Sequence, residues 1–240
     1  MEQSIDKMEQ YLLSIRLSSD GFNLSVFDET SVLLSSKKVS KSLFSLSTDE
    51  IIKIMAPETE LNYKSVRLIC ESDTYTFIPA PVFKIDEAAE MLHFQFKPDK
   101  NDQIILNRIL KWDTINVFSI PKTLHKALTN LFPNSIIEHH LSYFLNECVK
   151  LQSENSVYIS IRSNIMDVVV VSTGIIQLIN SYSFNTPEDF TYYTLNIFDK
   201  LPLDIENSKV ILFNSNKKPE VQKTLENYMD VIRGEKEEGS

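Results

Sequence analysis

The tripeptide Ser-Ile-Arg occurs twice, as Ser14-Ile15-Arg16 and Ser160-Ile161-Arg162. A guanidinium stays protonated and offers a planar fork of donors. Two such arginines can bind a carboxylate or a phosphate, or each can pair with a neighbouring Asp or Glu. Other reactive residues are thinly spread. His139-His140 is the one histidine cluster, and His93 and His125 stand alone. Adjacent residues of a strand face opposite sides, so the reading predicts that this pair does not share a metal ion. Asp86, Glu87 and Glu90 lie on one helical turn; paired carboxylates can do acid–base work, but a solvated face is the simpler expectation. No Gly-x-Ser-x-Gly elbow and no Cys/His catalytic signature occurs, so Ser35, Ser36, Ser40, Ser42, Ser45 and Ser47 read as loop and cap residues.

Composition narrows the classes of function. The 240 residues carry 33 acids against 24 bases, a net charge of −9 that repels phosphate backbones and argues against a nucleic-acid partner. No run reaches the ~18–20 apolar residues of a membrane span, and MEQSIDKMEQ is not a secretory leader, which places the protein in the cytoplasm. Cys70 and Cys148 sit in apolar runs and read as small buried hydrophobes.

A tripeptide alone carries little; the segments downstream of each copy carry more. After Arg16, Asp20-Gly21 predicts a type I′ hairpin between LSIRLS and FNLSVF, and Asp28-Glu29-Thr30 turns into SVLLSSKKV. After Arg162, Asn164 turns the chain into MDVVVVS, and Thr173-Gly174 turns it again into IIQLINSYS. Arg16 to Thr30 spans fourteen positions and Arg162 to Gly174 twelve, a shortfall that predicts a tighter first turn in the second half. Ser47, Thr48 and Asp49 can cap DEIIKIMA, and Thr186-Pro187 opens EDFTYYTLNIFDKL. On that helix Phe190, Tyr193 and Ile197 share the core face and Tyr192 points away. Strands YKSVRLICE and KVILFN come after their respective helices, and KPEVQKTLENYMDVIR reads as a closing amphipathic helix.

The middle is less regular. TYTFIP and MLHFQFKP read as strands around a helical turn at DEAAE, and DQIILNRILKW fits either strand or helix. TINVFSI and SIIEHH read as strands, PKTLHKALTNLF as a helix with Pro121 first, and LSYFLNECVKLQ as a helix. The chain divides into a first half, 1–140, a second half, 141–233, and a charged tail, 234–240, without apolar anchors; residues 1–10 are polar and read as frayed.

Two β-β-β-α-β-α units with a helix between them resemble the actin-like ATPase (ribonuclease H-like) superfamily. NVFSIPKTLHKALTNLFPNSIIEHHLSYFLNECVKL is similar to the segment before the second meander in the pilus-assembly and secretion-platform branch. The whole chain resembles an uncharacterised Bacteroidota family with an actin-like fold. The resemblance implies an α/β fold of duplicated units and, in active members, an Asp and a Gly-rich turn on the first strand of each half for Mg²⁺ and phosphate. Arg16 and Arg162 fall where those carboxylates belong, and a cation cannot ligate Mg²⁺. The four glycines, 21, 174, 234 and 239, supply no Gly-Gly, GxGxxG or Walker A sequence. The nucleotide site is therefore read as degenerate, with no catalytic residue, no cofactor and no metal assigned. Arg16 and Ser18, with Arg162 and Asn164, are the candidate ligand positions, lining an interdomain cleft if both strands face it. An ion pair that bridges the domains is the alternative for the arginines. By resemblance, the expected partner is a protein or peptide, and open sheets leave edges through which a homodimer can form.

Overall fold

The structure is a computed structural model that describes residues 11–59, 63–97, 99–151, 155–201, 203–204 and 207–234. The readings of residues 1–10 and of the tail beyond Gly234 lie outside it. Contacts divide the chain into two units, Met1–Tyr143 and Phe144–Glu238.

In the first unit, β1 (Leu12–Ser18), β2 (Gly21–Phe27) and β3 (Leu33–Val39) form an antiparallel meander. Leu13, Ile15 and Leu17 alternate into the core from β1, which leaves Ser14 and Arg16 on the other face. Helix α1 (Thr48–Met55) comes next, its N-terminus closed by a capping box between Ser47 and Glu50. β4 (Ser65–Cys70) then pairs parallel with β1. An inserted sheet is built from β5 (Tyr75–Pro79), helix α2 (Ala88–His93), β6 (Asp102–Ile109) and β7 (Thr114–Pro121), in the strand order β5-β7-β6. Helix α3 (Lys122–Leu131) leads to β8 (Ile136–His139), which completes a sheet ordered β3-β2-β1-β4-β8. Helix α4 (His140–Lys150) runs from the first unit into the second.

The second unit repeats the pattern without an insertion. β9 (Ser156–Arg162), β10 (Ile165–Ser172) and β11 (Ile175–Ser183) form the meander. Helix α5 (Pro187–Lys200) starts at a Thr186/Asp189 capping box with proline at its first position. β12 (Lys209–Phe213), helix α6 (Pro219–Leu225) and β13 (Val231–Arg233) complete a sheet ordered β11-β10-β9-β12-β13. Val157, Ile159 and Ile161 of β9 join Met166, Val168 and Val170 of β10 in a core closed by Phe190 and Ile197 of α5. In both units the first strand pairs antiparallel with the second and parallel with the fourth.

Several expectations are corrected. The described residues of MLHFQFKP, 91–97, are not a strand: the first of them end α2, where Leu92 is buried among Ile78, Ile115 and Val117. The final helix stops at Leu225, and Val231–Arg233 form a parallel edge strand on β12, with the Gly234 N–H donating to the Leu212 carbonyl. Asp20-Gly21 is not a type I′ turn. The loop residues are Ser19 and Asp20, and neither has a positive φ. Gly21 opens β2 at φ +155°, where a Cβ would collide with the Val39 carbonyl. Thr173-Gly174 has φ of 51° and 74°, the left-handed pair a type I′ turn requires. The two-residue shortfall has another cause: both first hairpins have two-residue loops, but β1 continues two residues past Arg16 whereas β9 ends at Arg162. Pro121 is the residue before α3 rather than its first.

Candidate functional site

Each unit sends the isoleucine of its Ser-Ile-Arg into the apolar core and leaves the serine and arginine on the opposite sheet face, towards the carboxyl end of a central strand. That edge holds ligands in open α/β sheets. The two arginines are not register equivalents. Arg16 lies opposite Asn23, two pairs before the hairpin, and Arg162 lies opposite Ile165 at the last pair. Counted from the hairpin, Ser160 is the counterpart of Arg16.

In the first unit Arg16 is 9% exposed and its guanidinium donates to Glu71, the residue just after β4, at 3.4 Å. The Tyr143 ring lies between two cations, 6.0 Å from the Arg16 guanidinium carbon and 5.2 Å from that of Arg67. Arg67 reaches Glu138 of β8 at 3.7 Å. Ser18 turns inward to its own hairpin: its hydroxyl donates to Asp20 at 2.6 Å, with the Gly21 carbonyl at 3.0 Å. That hydrogen bond, ahead of the Lys38 charge, holds the Asp20 carboxyl below its ordinary range despite partial burial.

In the second unit Arg162 grips Asp167 of β10 through two nitrogens, Nε to Oδ2 and Nη2 to Oδ1, the latter at 3.2 Å. Asp167 is 2% exposed and also accepts from the Ser181 hydroxyl. Asn164 accepts from Lys218 Nζ at 2.8 Å, and that ammonium also lies 5.3 Å from the Phe184 ring. Asn214, left-handed at φ 57°, donates from its amide to Ser160 at 3.2 Å.

Each of the four candidate residues has a partner within its own unit. Sequence reasoning did not single out Glu71 or Asp167. Both had a signal: Glu71 directly follows the apolar run SVRLIC, and Asp167 is the one acid within MDVVVVS.

His139 and His140 depart from expectation. The strand ends at His139 and a helix starts at His140, so the two rings meet with centroids 4.2 Å apart instead of facing opposite ways. His139 Nδ1 accepts from the Leu141 N–H, so the proton sits on Nε2 and is donated to the Ser72 carbonyl at 2.8 Å. Both ring nitrogens of this fully buried histidine are committed to backbone groups. Among the described residues no group of three or more His, Cys, Asp or Glu is placed to hold a metal ion. Glu87 pairs with Lys84 at 2.7 Å, while Asp86 and Glu90 are exposed. Burial pushes the Cys70 thiol up to about 12.

Two sheets of one topology, ordered 3-2-1-4-5 within each unit, define an actin-like ATPase fold. The chain belongs to the DUF3822 family of proteins of unknown function, whose profile matches residues 1–232. A Bacteroides thetaiotaomicron protein with an actin-like ATPase fold and unknown function is similar over 96% of this chain and 93% of its own, at 24% identity and TM-score 0.78. The PilM-PilN type IV pilus biogenesis complex is similar over 93% of this chain and 88% of the matched chain, at 10% identity and TM-score 0.51. These likenesses establish the fold. No protein of curated function matches the chain. No helix among the described residues is long and apolar enough to cross a membrane.

Proposed function

We propose that the chain is a non-catalytic, cytoplasmic actin-like scaffold that binds a protein or peptide partner. The observation that carries this reading is an arginine near the end of the first strand of each unit, each neutralised by an acid of its own unit. A magnesium-nucleotide needs hard oxygen ligands at such a position, and a guanidinium repels the cation. Glu71 and Asp167 do not substitute, because Arg16 and Arg162 hold them. The phosphate-cradling backbone of a glycine-rich turn is missing as well, since the hairpins after β1 and β9 run through Ser19-Asp20 and Ser163-Asn164. The PilM-PilN complex gives a precedent for this fold within a two-protein assembly. Co-purification from the native host, with Mg-ATP added or withheld, tests the reading. It expects a discrete protein partner retained in both conditions; recovery of none under several buffers counts against it.

A second reading, a nucleotide- or anion-binding regulator, is favoured by the convergence of Arg16 and Arg67 on the Tyr143 ring. It requires an anion to compete with Glu71 for Arg16, and with Asp167 for Arg162. Saturable anion binding lost in Arg16→Ala or Arg162→Ala supports it, and binding unchanged in both variants removes the site.

A further inference from the structure

The described sheets end in six edge strands, and five carry a device that discourages pairing with another chain. β3 bears Lys37 and Lys38, β6 bears Asp102 and Arg108, and β5 contains Pro79. β8 has four residues including Glu138, and β13 has three including Arg233. β11 differs on every count. It is nine residues long, IIQLINSYS, with no Asp, Glu, Lys, Arg or Pro, and Ile175 at its start is 62% exposed.

The free side of β11 is identifiable. The Phe184 N–H donates to the Asn164 carbonyl, and the register continues through Tyr182↔Met166 and Asn180↔Val168. Antiparallel ladders alternate, so those residues bond inward to β10 and the backbone groups of Ile179, Ser181 and Ser183 point outward. The Ser181 N–H agrees with this assignment, because it is met by the side-chain oxygen of Asn180 at 2.9 Å rather than by a strand. A bulge between Val170 and Val171 leaves Gln177 outside the register, and that residue is exposed.

We propose that β11 pairs antiparallel with β11 of a second copy of this chain. Charge selects that occupant. Two copies of a chain with net charge −9 repel, so they meet with least penalty where neither presents an ionised side chain, and β11 is the long edge with none. Antiparallel pairing of a strand with itself is two-fold symmetric. It consumes the edge on both copies at once, so assembly stops at the dimer. A basic or acidic partner strand gains no complementary charge from IIQLINSYS. This inference stands independently of the proposed scaffold function.

Sedimentation of the full chain over a rising concentration series tests it. The wild type is expected to shift from monomer to dimer mass, with association unweakened by added salt because no ion pair forms it. Ile179→Pro removes an outward N–H and leaves the β10–β11 ladder intact, so it is expected to stay monomeric throughout. Gln177→Lys gives the same expectation without a backbone change and decides the matter if the proline variant fails to fold. Asn180→Ala uncovers the Ser181 N–H and is expected to shift the series towards dimer. A wild type that stays monomeric at every concentration, or a dimer that survives Gln177→Lys in folded protein, overturns the proposal.

Discussion

At the residue scale, the two arginines differ in what they hold. Arg162 and Asp167 bury side chains that are 13% and 3% exposed, and Asp167 lies within an otherwise apolar strand. Removing one partner of such a pair strands a buried charge, at a cost of about 3–5 kcal/mol. Arg162→Ala is therefore expected to lower the urea midpoint strongly, and the double change Arg162→Met with Asp167→Leu to restore most of it. Arg16→Ala should cost less, because its contact with Glu71, at 3.4 Å, is longer than those of Arg162 with Asp167. Equal losses for the two single variants would refute this ranking. Cys70, fully buried with its thiol pushed up to about 12, should resist alkylation in the native protein and react only once the chain is unfolded. Sequence showed the Ser-Ile-Arg pair but not its partners, because Glu71 and Asp167 meet the arginines through strand register.

At the element scale, the caps and one turn specify where the chain changes direction. Thr186→Ala removes the hydroxyl that accepts from the Asp189 N–H and should lower stability by about 1 kcal/mol in denaturant titrations. Glu50 is held below its ordinary range first by the Ser47 side chain and then by the Ser47 backbone. Asp189 is held down by the backbone N–H groups of Asn185 and Thr186. A carboxyl depressed in the folded state contributes stability that is present above its unfolded pKa of ~4 and lost as pH falls through the lower folded value. The melting temperature should therefore decline on acidification below about pH 4, less steeply in Ser47→Ala than in wild type. Gly21→Ala should cost more than ~1 kcal/mol, because the added methyl meets the Val39 backbone rather than a movable side chain. Meander strands and capped helices were legible because alternation and cap residues are local signals. MLHFQFKP was misread because a short apolar run fits a strand or a buried helical turn equally well. The segment after Leu225 was misread because its apolar spacing suits a helix, while tertiary pairing with β12 makes its end a strand.

At the scale of the whole molecule, one topology appears in both units, and the first strand of each ends near an arginine paired with an acid of its own unit. The fold was legible from the order of elements, even though the two arginines that drew attention to the repeat prove to sit two residues out of register. One architecture hosts many functions, so the fold by itself does not assign one. The central claim of the proposed function is that arginines held by acids near the ends of the first strands leave no place for a metal-nucleotide. A thermal melt with and without millimolar Mg-ATP tests it most directly. A ligand at 100 times its Kd stabilises the native state by ~2.7 kcal/mol, and each kcal/mol moves Tm by roughly 2–4 °C for a chain of this size. The account predicts superimposable melts, whereas a Tm raised by several degrees would contradict it.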